Sequence, residues 1–117
     1  MNTLKNNVQL IGNLGNDPDI REYAGGKRMA RMSVATNDSY RNQAGERIDD
    51  TQWHTVVAWG KQADLVQGML RKGSHVVLQG RLVHRSFEGR DGQKRFMTEV
   101  VMNEFQVMDR KNEEELA

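Results

Sequence analysis

The sequence predicts an all-β domain carrying one helix, and three observations lead there. Five stretches read as strands by period two, one stretch after the third changes to helical spacing, and turn-forming Gly, Asn, Asp and Pro residues punctuate the junctions. Side chains on a strand alternate between its faces, which is why period two is diagnostic.

In the first strand Val8, Leu10, Gly12 and Leu14 alternate with Gln9, Ile11 and Asn13, and Gly15-Asn16-Asp17-Pro18 ends it. A polar loop through Tyr23 and Ala24-Gly25-Gly26 leads to a second strand near Arg28 to Asn37, rich in small residues. Asn42-Gln43-Ala44-Gly45-Glu46 reads as a hairpin tip. The third strand, Thr51 to Trp59, places Trp53, Thr55, Val57 and Trp59 on one face and His54, Val56 and Ala58 on the other. Both faces are half apolar, so the pattern leaves open which is core. From Lys61 the period changes: Ala63, Val66 and Leu70 fall at helical spacing, and Arg71-Lys72-Gly73 supplies cationic residues and a glycine at the helix end.

The fourth strand, Ser74 to Phe87, has two unlike faces. Val76, Leu78, Gly80 and Leu82 form a core wall, while His75, Val77, Gln79, Arg81, Val83, Arg85 and Phe87 face outward. A bulge would reverse that phase and bury Phe87. Glu88-Gly89-Arg90-Asp91-Gly92 is a turn-rich loop, and a fifth strand runs from Lys94 to about Met108. Five strands with a helix between the third and fourth is the order of an OB-fold, a five-stranded Greek-key barrel. The expected domain is 1–108, with 109–117 a short flexible acidic tail.

A chain of 117 residues fits one domain. The hydrophobic share of 37% and the mean hydropathy of -0.78 are low, which hints that a partner subunit completes some apolar surface. No window resembles a membrane span and the Met-Asn-Thr-Leu-Lys start lacks a signal-peptide stretch, so the expected location is the cytoplasm. Zero cysteines exclude disulfides, thiol nucleophiles and cysteine-ligated metal sites. Net charge is only +1, but the last nine residues hold two basic and four acidic side chains, so 1–108 carries +3. Basic residues cluster locally at Lys27, Arg28 and Arg31, at Arg71 and Lys72, at Arg81, Arg85 and Arg90, and at Lys94 and Arg95. Each cluster taken singly reads as a solvated face. An exposed ring among arginines, as at Phe87, instead suits a partner that is both anionic and flat, of which single-stranded nucleic acid is the commonest.

His75 and His84 point to opposite faces of one strand, so they cannot share a metal, and no metal or cofactor site is expected. No nucleophile and base pair is evident. Gly12-Asn13-Leu14-Gly15 has no Lys-Ser/Thr after it and is no phosphate loop. The expectation is a protein that is not an enzyme.

The chain resembles bacterial single-stranded DNA-binding proteins along nearly its whole length. Val8, Gly12-Asn13-Leu14, Asp17-Pro18 and Arg21 are similar to the family's first strand and loop. Trp53-His54, Val56-Val57, Gly60-Lys61, Ala63, Leu70, Lys72-Gly73, Gly80 and Leu82 resemble its central block, and Gly92, Arg95 and Thr98-Glu99-Val100-Val101 its last strand. The resemblance implies single-stranded DNA binding without strong sequence preference, in DNA replication, repair and recombination, on a homotetramer of OB-folds. A dimer is the second choice.

Carried over by position, the stacking rings would be Tyr40, Trp53, Trp59 and Phe87. Tyr40 and Phe87 stand where the family commonly has tryptophan, Trp59 stands where phenylalanine is familiar, and Thr55 stands where arginine is. The candidate phosphate contacts are Arg28, Arg31, Lys61, Arg71, Lys72, Arg81, Arg85 and Arg95. Val8 and His54 are expected at a subunit interface, and Phe96 and Phe105 in the barrel or an interface.

For Trp53 and Trp59 the bland reading is core packing, and for Tyr40 a plain surface tyrosine. Many members continue into a long linker and an acidic tip that recruits other proteins. Here the chain stops at Ala117 without either, so it is either cut short or a short member that does not recruit partners in the usual way. The competing reading is an OB-fold protein-interaction module, such as a replication-restart accessory protein. Such a module could lose the rings, whereas all four positions here are aromatic.

Overall fold

The computed structural model describes residues 4–108, so the stretch expected as an acidic tail lies outside the described residues. Its elements are β1 (Val8–Leu14), β2 (Asp19–Tyr23), β3 (Lys27–Arg41), β4 (Arg47–Trp59), α1 (Lys61–Met69), β5 (His75–Glu88) and β6 (Lys94–Val107), with a 3₁₀ turn at Ala24–Gly26. The five expected strands and the helix are all present. The strand β2 is additional, in the stretch expected to be a polar loop. It pairs with the first part of β3, Asp19 opposite Arg31 through Tyr23 opposite Lys27. Only its Ile20 is half-buried, too little for a period-two signal.

The strands hydrogen-bond in the order β1-β5-β6-β4-β3, and β3 returns to β1 through Asn13 opposite Ala35 and Leu14 opposite Val34. This closes a five-stranded barrel of the OB type, with β2 attached along the edge of β3. Gly12 permits the closure: a Cβ there would stand 2.1 Å from the Ala35 carbonyl oxygen, so any side chain would hold β1 away from β3.

Inward residues alternate as a filled barrel requires. Ala30, Met32 and Val34 of β3, Val56 and Ala58 of β4, Val76 and Leu78 of β5, and Val100 and Met102 of β6 are buried together. Ala63, Val66 and Leu70, which recur along α1 at helical spacing and just past its end, join the same cluster. Because Val56 and Ala58 point inward, Trp53, Thr55, Val57 and Trp59 form the outer face of β4. The register thus decides what the half-apolar pattern of this strand left open.

A bulge does occur, but on the other strand. Gln79 pairs with Glu104 while Gly80 pairs with Met102, so Asn103 is an extra residue in β6. The alternation of β5 therefore runs unbroken, and Phe87 stays on the outer side, 47% exposed. In β6 the phase changes instead. Val100 and Met102 point inward before the bulge, and Phe105 and Val107 pack against the core after it.

Two hairpin arms extend past the barrel. In the first, Thr36–Arg41 pairs with Arg47–Gln52, and the tip forms as expected, with Gly45 at φ 79° and the Glu46 N–H donating to Asn42 Oδ1. In the second, β5 and β6 stay paired as far as Glu88 and Lys94. Leu82, expected in the core wall, is 38% exposed because the ribbon has left the barrel there. Phe96 is 75% exposed on the same arm, with Lys94 Nζ 5.8 Å from its ring centre, so it is no part of the barrel.

Candidate nucleic-acid interface

Across the outer side of the barrel four strands lie in the order β3-β4-β6-β5, and their registers align side chains into rows. Arg31 stands opposite Val57, Val57 beside Val101, and Val101 opposite Arg81. The same alternation brings Ala35 opposite Trp53, Met29 opposite Trp59, and Arg95 opposite Phe87. One continuous face therefore carries Trp53, Trp59 and Phe87 with Arg31, Arg81, Arg85 and Arg95.

Trp53 is a supported platform. Its cross-strand partner Ala35 is small and buried, and its six-membered ring lies against the Gly15 backbone: a Cβ on Gly15 would meet Trp53 Cζ3 at 2.4 Å. The ring is nevertheless 62% exposed. A flat ring braced beneath and open above can take a base on its free face. Gly15 is held by its N–H to the Ser33 carbonyl, and Asn16 Oδ1 accepts from the Ser33 N–H, so the turn after β1 is fixed to β3.

Trp59 covers its buried partner Met29 and packs on Tyr23, with ring centres 5.7 Å apart at 38°. Beside it lies an open cavity of about 610 Å³ lined by Gly26, Lys27, Arg28, Trp59, Gly60, Lys61 and Asp64. Tyr23 is an addition that reading the sequence missed. Its signal was the strand β2, and a one-residue apolar pattern did not reveal that strand.

Tyr40 is not brought to this row. It pairs with Ile48 and is one position out of phase with Arg31, Ser33 and Ala35, so it lies on the other side of the first arm, 56% exposed.

The cationic candidates separate by their partners. Arg28 points the other way, toward α1, where it pairs with Asp64 and Glu22 and donates to Gln67, so it ties helix to sheet and is not free for phosphate. Arg95 pairs with Asp91 at 3.1 Å on the second arm. Arg31 and Arg85 both reach Glu99, at 3.0 and 2.8 Å. Among the described residues neither Arg81 nor Lys61 has a carboxylate within ion-pair distance. Arg71 and Lys72 sit in the α1–β5 loop, which the Lys72 N–H ties to Asp17 Oδ1 at 2.8 Å, close to the turn that braces Trp53.

Val8 and His54 stand off this face. Val8 is half-buried in β1, opposite Gly80, and His54 Nε2 lies 2.9 Å from Thr36 Oγ1. Between β1 and the first arm is a cavity of about 470 Å³ lined by Gln9, Leu10, Ile11, Thr36, Asn37, Asp38, Asp50, Gln52 and His54. Ile11 is half exposed there.

A closed OB barrel with exposed rings and arginines on one sheet face defines an oligonucleotide-binding domain. Comparison with known proteins narrows the class. The sequence matches the Single-strand binding protein family over residues 5–108, and the chain belongs to that family. It is 40% identical over 108 residues to Single-stranded DNA-binding protein 1 of Chlorobaculum tepidum, covering 92% of this chain and 67% of that one. Among solved structures, a Plasmodium falciparum SSB in complex with ssDNA superimposes with a TM-score of 0.83 at 33% identity, over 89% of this chain and 95% of the other. A deletion mutant of the single-stranded DNA binding protein from Thermus aquaticus gives 0.80 at 28% identity, over 92% of this chain and 52% of the other.

Proposed function

We propose that the protein binds single-stranded DNA without sequence preference and coats it during replication, recombination and repair. The observation that carries this reading is the single outer face on which Trp53 and Phe87 stand exposed and Trp59 half-buried, with arginines between them. Bases stack on the rings, which accept any base because each has a π-face, and guanidinium groups displace counterions from the phosphates. Duplex DNA hides its bases and so gains only the second term. Binding is the whole task, and no catalytic step is needed.

The test is a fluorescence titration with poly(dT) and with duplex of equal length. The single strand is expected to quench Trp53 and Trp59, to weaken as salt rises, and to bind far more tightly than duplex. Equal affinity for duplex refutes the reading. The alternative of a protein-interaction module is not favoured, because the family match and the exposed rings both point to DNA.

The homotetramer is part of the proposal. Support comes from β1, whose pairing with β3 is limited to Asn13 and Leu14, leaving the edge from Val8 to Ile11, with Ile11 half exposed beside the His54 cavity. Light scattering showing a monomer would overturn it. The cytoplasm, at the nucleoid, is the proposed location, checked by imaging a fluorescent fusion against a DNA stain.

A further inference from the structure

The most buried charged residue among the described residues lies directly beneath the proposed DNA path. Glu99 of β6 is 1% exposed, yet its carboxylate sits on the outer face, in the row next to Val57 and Val101. One oxygen, Oε2, accepts from Arg31 Nη2 at 3.0 Å, reaching over β4 to a side chain of β3. The other, Oε1, lies 2.8 Å from Arg85 Nε on β5, with the geometry of an ion pair and not of a directed hydrogen bond, so it has no true donor.

The two guanidinium groups remain about half exposed, at 45% and 50%. Each gives one nitrogen to Glu99, and the others are left for an outside ligand. A carboxylate this deep is costly to desolvate and is held only by such partners.

Resting on the reading of this face as a single-strand groove, we propose that Glu99 is a positioning residue that pins Arg31 and Arg85 from below and reduces their joint charge to that of one cation. The three side chains carry a net +1 where two free arginines would carry +2. Phosphates therefore meet two fixed guanidinium groups with the counterion release of about one. The arrangement gives geometric order at moderate electrostatic attraction.

The test measures affinity of the full chain for a labelled dT oligonucleotide across a range of salt, for wild type and Glu99→Gln, with a circular-dichroism melt to confirm folding. Glu99→Gln raises the cluster to +2, so the plot of log K against log salt is expected to steepen by about 0.7 per bound chain. At the high-salt end the variant is expected to fall below wild type, because its arginines are no longer held. A slope equal to or shallower than wild type overturns the proposal, and so does tighter binding at every salt concentration.

If Glu99→Gln does not fold because two unneutralised arginines are left together, the charge-compensated R31Q/E99Q, which keeps the cluster at +1, is compared with Arg31→Gln and gives the same information. The single variant is expected to be shallower than wild type by about 0.7, and the double variant to regain the wild-type slope. A purely structural Glu99 would leave the single and double variants with one slope. Failure of wild type to bind the oligonucleotide would refute the groove itself, which separates that outcome from failure of the Glu99 proposal.

Discussion

Gly15→Ala is a one-methyl change whose effect the structure localises to a single ring. Gly15 does not have a positive φ, so alanine fits its backbone. The added Cβ would stand 2.4 Å from Trp53 Cζ3 and 2.8 Å from Cη2, distances that something must relieve. Gly15 is fixed to Ser33 through its N–H, whereas the Trp53 ring is 62% exposed and can swing outward. The ring should therefore move and the fold should stay.

Losing one stacked base is worth about 1–3 kcal/mol, or about 5- to 150-fold in affinity. Stability should change by less than about 1 kcal/mol, since Gly→Ala also lowers unfolded-state entropy. Poly(dT) titrations of Gly15→Ala, Trp53→Ala and the double variant provide the assay, read by the quenching that remains from Trp59 in the variants lacking Trp53. Gly15→Ala should lose no more than Trp53→Ala, and the double variant should match Trp53→Ala, because both changes remove the same platform. Wild-type affinity for Gly15→Ala, or additive losses in the double variant, would refute the bracing argument.

Phe87→Ala should weaken poly(dT) binding by about 5- to 150-fold while leaving the melting temperature nearly unchanged, since the ring is half exposed on the arm. Arg81→Gln should make the salt dependence shallower by about 0.7. Arg28→Gln should leave that slope alone and cost about 1 kcal/mol in denaturant unfolding, because Arg28 serves Asp64, Glu22 and Gln67. Gly12→Ala should destabilise by about 3 kcal/mol or prevent folding, since its Cβ would meet backbone and not a movable side chain.

The barrel was legible because its inward positions repeat at short range. Val76 and Leu78 announce a buried face by alternation alone, and Ala63, Val66 and Leu70 announce the helix. The arms were only partly legible. The second and third strands run on to Arg41 and back from Arg47, whereas the pattern ended them near Asn37 and Thr51, where apolar residues stop. Backbone pairing holds those extensions, and it leaves no mark in side-chain type. The same applies to β2.

At the interface the rings could be found by type, but their grouping could not. Whether Trp53 faces outward depends on register, and whether Arg28 is free depends on Asp64, 36 residues away. The role of Glu99 was equally hidden, for its two partners lie on β3 and β5. A sequence shows a carboxylate in a strand, not its neighbours across three others.

The two arms give the binding surface a gradient of stiffness. Trp59 stands where β4 is backed by the buried core, while Phe87 stands on a ribbon exposed on both sides. Local opening costs least where few apolar contacts must break, so amide hydrogens around Phe87 should exchange well before those beside Val56 and Val100. A single strand has no fixed shape, and a uniformly rigid surface would fit only some of its conformations. If the strand follows the proposed track, one end serves as an anchor and the other as a yielding margin, and the surface can accommodate an irregular strand without disturbing the barrel beneath it.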